Sequence, residues 1–184
     1  MIELQGASLP LMPLPSDYSG QACSVARSLE VLGERWTLLI VRDAFFGVRR
    51  FGDFVARLDI PRAVLTARLK ALVDEGVLIR VPGESGRHEY ELTDKGTKLW
   101  PVVRDLMAWG DEFYAPAGPL RILRHAADDG VLNRQGICAS CGETVPVAEI
   151  AMEPGPGFGF AGRREDAVSE AIARPRRLLE SVRT

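Results

Sequence analysis

Residues 60–80, Ile60-Pro-Arg-Ala-Val-Leu-Thr-Ala-Arg-Leu-Lys-Ala-Leu-Val-Asp-Glu-Gly-Val-Leu-Ile-Arg80, read as a helix that stops at a glycine and turns straight into a strand. Leu65, Leu69, Leu72 and Val73 recur at helical spacing and predict a buried stripe on a helix over 61–75. The opposite face holds Ala63, Thr66, Ala67 and Lys70, with Arg62 and Arg68 towards its edges. Small side chains let a helix approach a DNA major groove closely, and Arg, Lys and Thr reach base edges and phosphates. Asp59 is the expected N-cap, Pro61 falls in the first turn, and Gly76 is a natural C′ stop.

The flanking segments extend this pattern. Phe51 to Leu58 is a short amphipathic helix with Phe51, Phe54, Val55 and Leu58 inward, and Asp59-Ile60 is a tight link. Two short helices joined so closely make a helix-turn-helix whose second helix is the reader. Arg49 and Arg50 precede the first of these helices, where they are placed to clamp a phosphate backbone. Downstream, Val77 to Val81 and Arg87 to Thr93 read as two strands about the turn Pro82-Gly-Glu-Ser-Gly86. A hairpin after a reading helix is a wing. Arg87 at its tip is placed to enter a minor groove or meet a phosphate.

The chain of 184 residues has a net charge of −2, which argues against indiscriminate nucleic-acid binding. The charge is unevenly spread. Between Arg42 and Lys70 stand seven cations, Arg42, Arg49, Arg50, Arg57, Arg62, Arg68 and Lys70, against three anions, Asp43, Asp53 and Asp59. Such a local positive field on an acidic protein fits a specific electrostatic footprint.

Cys23 to Leu32 and Glu34 to Phe46 read as two further helices, with Trp36 as core. A helix capped by Thr93 or Asp94 is expected to run to about Phe113, with a kink at Pro101. Its apolar positions Leu99, Val103, Leu106, Trp109 and Phe113 exceed what a small winged domain covers alone, so they are assigned to a homodimer interface. A dimer places two reading helices on a pseudo-palindromic double-stranded DNA site.

Several motifs in order now carry a resemblance. Cys23-Ser-Val-Ala-Arg27, Gly33-Glu-Arg-Trp-Thr-Leu-Leu-Ile-Val-Arg-Asp43, Phe46-Gly-Val-Arg-Arg-Phe51, Leu65-Thr-Ala-Arg-Leu-Lys70 and Tyr90-Glu-Leu-Thr-Asp-Lys-Gly96 resemble the HxlR-type transcriptional regulators over roughly residues 21–114. The resemblance implies a dimeric winged helix-turn-helix that binds DNA and regulates nearby genes. Many relatives carry Ser where this chain has Pro61, so one hydroxyl able to touch a phosphate is missing here. The resemblance also draws attention to Cys23, since a cysteine at this point in such proteins sometimes senses electrophiles or oxidants. A thiol at a helix N-terminus has its thiolate stabilised by the dipole, and Arg27 lies one turn on. The alternative for Cys23 is a small residue packed in the dimer interface.

Composition shifts at Ala115-Pro-Ala-Gly-Pro119, which divides the chain into an arm over 1–20, a winged domain over 21–114 and an extension over 115–184. In the extension, 120–125 and 145–152 read as strands and 165–182 as a short helix containing Pro175. The basic run Arg174, Arg176 and Arg177 reads as a solvated helix face. Cys138-Ala-Ser-Cys141-Gly is half of a zinc-ribbon knuckle. No second Cys pair exists. His125 is a third candidate ligand, and Asp128 or Asp129 a weak fourth, so we expect a degenerate ribbon that holds no metal.

The fold class that results is α+β, mainly α: a winged helix-turn-helix dimer with a small β-rich extension. Neither an enzyme nor a cofactor is expected, because two histidines and no nucleophile constellation offer no catalytic set. No apolar run reaches the ~20 residues of a membrane span, and residues 1–20 lack a secretion signal, so a cytoplasmic location is expected. The competing expectation is a thiol- or ligand-responsive sensor, with the winged fold and extension binding a small effector or a protein partner. A cavity between the long helix and the extension favours that alternative, and a filled junction favours a structural appendage.

Overall fold

A computed structural model describes residues 17–18, 20–83, 86–159 and 165–183. The arm over 1–20 lies almost wholly outside the described residues. Helix α1 spans Ser24–Leu32, α2 Thr37–Phe45, α3 Phe51–Leu58 and α4 Arg62–Asp74. Strands β1, Leu78–Pro82, and β2, His88–Leu92, form the antiparallel wing, with Leu78 opposite Leu92 and Pro82 opposite His88. Helices α5, Asp94–Thr97, and α6, Trp100–Tyr114, follow. The extension adds β3, Arg121–His125, β4, Ile150–Pro154, α7, Ala167–Ile172, and β5, Arg176–Arg177, with the antiparallel sheet order β3-β4-β5. The fold is mainly helical α+β.

Helix α4 has the buried stripe that its sequence predicts: Leu65, Leu69 and Leu72 are fully covered. It ends in a Schellman motif at Gly76, φ +65, where Gly76 N–H donates to Val73 O and Val77 N–H to Leu72 O, each at 2.9 Å. The start differs from expectation. Pro61 occupies the N-cap position, and Asp59 instead closes α3 in the left-handed region at φ 55. That kink, with Ile60 buried beneath it, turns α4 away from α3.

The expected long helix is two. Thr93 caps α5 by accepting the Gly96 N–H at 3.1 Å, while its hydroxyl donates to Gly76 O at 2.6 Å. Pro101 falls in the first turn of α6, where its missing N–H costs nothing, so it begins a helix rather than kinking one. Helix α7 likewise stops before Pro175, and Arg176–Arg177 pair with Met152 and Ala151 as a strand instead of continuing a helix to 182.

Buried residues of both parts join one apolar cluster. Ile40, Phe45, Phe54 and Trp100 of the helical part meet Ile150, Met152, Ile172, Leu178 and Val182 of the extension. The closing segment crosses the α2–α3 joint, with Leu179 N–H donating to Phe45 O at 2.8 Å and Val182 N–H to Gly47 O at 2.9 Å. Gly47, at φ +90, must lack a side chain: a Cβ there would lie 1.8 Å from Glu180 O.

Candidate nucleic-acid interface

Helix α4 presents Arg62, Ala63, Thr66, Ala67 and Lys70 to solvent along one face, as its periodicity predicts. Thr66 Oγ1 donates to the Arg62 carbonyl one turn back at 2.9 Å. Lys70 pairs with Asp74 at i,i+4 in an exposed and therefore weak ion pair. Arg68 is half-buried, 3.6 Å from Glu34, and Arg62 rests 5.8 Å from the Phe51 ring. The exposed face is thus small in profile and carries cations at both ends.

Apart from the α4 cations Arg62, Arg68 and Lys70, the basic run from 42 to 70 divides into two groups. Arg49 is ion-paired with Glu91 and donates to Leu179 O, and Arg50 Nε lies 3.0 Å from Glu89. Arg50 also forms an isolated antiparallel bridge to Glu89 of the wing, and Tyr90 N–H donates to Arg49 O at 2.8 Å. Both arginines thus tie the helix-turn-helix to β2, a contact that the sequence alone did not reveal. Arg42 and Arg57 turn the opposite way, into the protein. Arg87 is exposed beside the wing tip, whose residues 84 and 85 lie outside the described residues.

Of the residues assigned to a dimer interface, Leu99 and Val103 face inward and pack in the chain's own core. Both lie at the start of α6, beside buried Trp100, where the helix packs on the core. Leu106, Trp109 and Phe113 lie further along α6 and are exposed, together with Val102. Trp109 stacks obliquely with Phe113 and Tyr114 at 5.5 and 5.2 Å. Val25 and Leu29 of α1 are exposed as well. Cys23 is the exposed N-cap residue of α1 and makes no side-chain cap hydrogen bond. Arg27 turns to Glu30 and to the Tyr18 carbonyl rather than to that thiol.

Between α6, β3 and the inner ends of α2 and α3 lies a cavity of about 380 Å³, lined by residues including Arg42, Phe46, Arg57, Leu106, Tyr114 and Arg121. Arg121 is buried, donates to Ile172 O at 2.9 Å and lies 4.2 Å from the Phe158 ring. Burial pushes its pKa down to about 10; Arg57 and Arg42 add repulsion, and Asp43 opposes the shift. Asp43 is itself buried, an acid in a position that helical spacing assigns to the apolar face. It receives Arg42 Nε at 2.9 Å and stands 3.8 Å from Arg57 Nε.

The extension brings His125, Asp128, Cys138 and Cys141 together, their ligand atoms all within 4.8 Å of one another. The Gly130 N–H, donating at 2.9 Å, is the main cause that holds the Asp128 carboxyl down to about 2.

Comparison with known proteins places this geometry. The pattern of the HxlR-like helix-turn-helix family matches residues 31–117. The uncharacterized HTH-type transcriptional regulator Rv3095 of Mycobacterium tuberculosis is 49% identical over 138 residues, covering 73% of this chain and 87% of that protein. The HTH-type transcriptional regulator YodB of Bacillus subtilis is 33% identical over 92 residues, 48% of this chain and 82% of that protein. Among solved structures, PA1607 superposes with a TM-score of 0.50 at 41% identity, covering 68% of this chain and 80% of that one. The alignment with Rv3095 is longer than the family pattern, so the likeness continues past the winged helices. With a reading helix, a wing and this degree of identity, the chain belongs to the HxlR-like helix-turn-helix family of transcriptional regulators.

Proposed function

We propose that the protein is a sequence-specific DNA-binding regulator that acts as a homodimer. The carrying observation is the exposed face of α4, on which Ala63, Thr66 and Ala67 leave room for base edges while Arg62, Arg68 and Lys70 supply cations. Helix α4 enters the major groove. Arg87 carries the wing to the minor groove or backbone. Arg49 and Arg50 act mainly by fixing the wing against α3, and any phosphate they meet is shared with Glu91 and Glu89.

Selection of bound genomic fragments by the purified protein, with and without reductant, tests this. A palindromic motif is expected, and no enrichment in either condition would contradict DNA reading. A motif seen only with reductant assigns a switch to an accessible thiol such as Cys23. On the selected site, the double variant Thr66→Ala/Lys70→Ala binds more weakly and less selectively in gel shifts. Arg87→Ala binds more weakly with unchanged sequence choice, and its salt slope falls by about 1. Unchanged affinities would refute these assignments.

The cavity beside α6 supports a second role, an effector site. Three arginines against one acid, Asp111, in a lining that also offers Phe46, Leu106 and Phe158 favour an aromatic or aliphatic carboxylate. Benzoate and phenylacetate are expected to raise Tm and to change operator affinity, whereas benzamide and phenylacetamide leave both unchanged. Equal responses to acids and amides, or none to either, would refute an anion site.

A further inference from the structure

We propose that His125, Asp128, Cys138 and Cys141 bind one structural zinc ion through Nδ1, a carboxylate oxygen and two thiolates. This reverses the expectation drawn from the missing second Cys pair. The ribbon has two knuckles, but only one is built of cysteines. The other is His125 to Asp128, with the same spacing of three, on the turn that leaves β3. Folding sets this pair against Cys138 and Cys141.

The distances suit a tetrahedral ion. Ligand atoms about 2.0–2.3 Å from zinc lie about 3.3–3.8 Å from one another. Here His125 Nδ1 is 3.5 Å from Cys141 Sγ and 3.2 Å from Asp128 Oδ2, and Cys138 Sγ is 3.5 Å from the same Asp128 oxygen. The imidazole is also oriented. Its far nitrogen, Nε2, points to Glu149 Oε2 at 3.5 Å, the carboxylate partner that a zinc-bound histidine commonly has. The Ser140 N–H donates to Cys138 Sγ at 3.3 Å and favours charge on that sulfur.

The site is sterically prepared. Cys138 is buried, and a Cβ at residue 130 would lie 2.3 Å from its sulfur, so Gly130 is what lets the two knuckles close. Two thiolates and an imidazole select zinc over magnesium or calcium, which prefer oxygen. Four protein ligands fill a tetrahedral shell, so the ion has a structural role with no open position for substrate. Binding releases the proton of each thiol that is protonated beforehand, and no oxidant or reductant takes part. The ion pins residues 125–142 to the β3–β4 sheet. This segment also reaches α6, where Arg104 donates to Gln135 O at 3.0 Å.

The test uses the full chain, purified under reductant without chelator. We expect one zinc per chain by elemental analysis. Replacement by cobalt(II) should give the visible absorption of a tetrahedral site together with thiolate-to-cobalt charge transfer. That band should weaken in Cys141→Ser and vanish in the double variant Cys138→Ser/Cys141→Ser. Glu149→Gln leaves all four ligands in place and should weaken zinc binding about 10- to 100-fold, a readout that does not depend on a ligand variant folding. Reduced wild-type protein that carries no zinc and shows no charge-transfer band would overturn the proposal. Zinc held at full affinity by the double cysteine variant would overturn it as well.

Discussion

Asp43→Ala lowers the free energy of unfolding by about 3 kcal/mol, the lower end of the cost of breaking a buried ion pair. The lower end applies because the Arg42 side chain is 26% exposed and can turn partly to water. Asp43 has no such outlet. One of its oxygens accepts both Arg42 Nε, at 2.9 Å, and Arg42 Nη2, at 2.7 Å. Truncation takes from Arg42, Arg57 and buried Arg121 the carboxylate that they share. A stability of this size is a large part of what a single domain has, so the effect is plain in urea unfolding at constant m-value. Asp43→Asn keeps the shape and loses the charge, and should recover only a minor part of the deficit. Near-wild-type stability of both variants would show that solvent already screens these arginines.

Trp109→Glu should convert the dimer to a monomer and reduce operator affinity by about 10²- to 10⁴-fold, the gain that linked half-sites provide. Trp109 is 47% exposed and Phe113 59%, and with Val102, Leu106, Val25 and Leu29 they leave more apolar surface bare than scattered side chains explain. In the proposed homodimer a second copy of the chain, related by a twofold axis, would cover the same face on both partners. Sedimentation in the absence of DNA separates this from a defect in reading. The variant should sediment as a monomer with an unchanged far-ultraviolet spectrum. A variant that remains dimeric would move the interface elsewhere.

The winged helix-turn-helix was legible because its signals are local and redundant. The α4 stripe, Gly76 and the turn at 82–86 each specify their own geometry within a few residues. Features decided by distant partners were less visible. Arg49 and Arg50 look like free cations in sequence, and only the wing's return brings Glu91 and Glu89 against them. Helical spacing puts Asp43 on the apolar face of α2, but its partners Arg42 and Arg57 emerge only when α2 and α3 are packed. Leu99 and Val103 share one apolar stripe with Leu106 and Trp109, and periodicity alone does not say where along α6 the chain's own core ends. The split at Pro101 was in principle readable, since a proline two residues into a helix is favoured and one within it is not. His125 and Asp128 were visible as candidate ligands, but the sequence does not show that folding sets them against Cys138 and Cys141.

The crossing of residues 179–182 over the α2–α3 joint has a consequence for how the protein is made. Phe45 and Gly47 are translated early, yet their carbonyls and part of their packing wait for Leu179 and Val182. At roughly 5–20 residues per second, synthesis of the intervening stretch takes several seconds. Throughout that interval the nascent reading head lacks its final brace. The joint between α2 and α3 therefore gains these two backbone donors only once residues 179–182 have been made, and a chain stopped short of them leaves the Phe45 and Gly47 carbonyls without them.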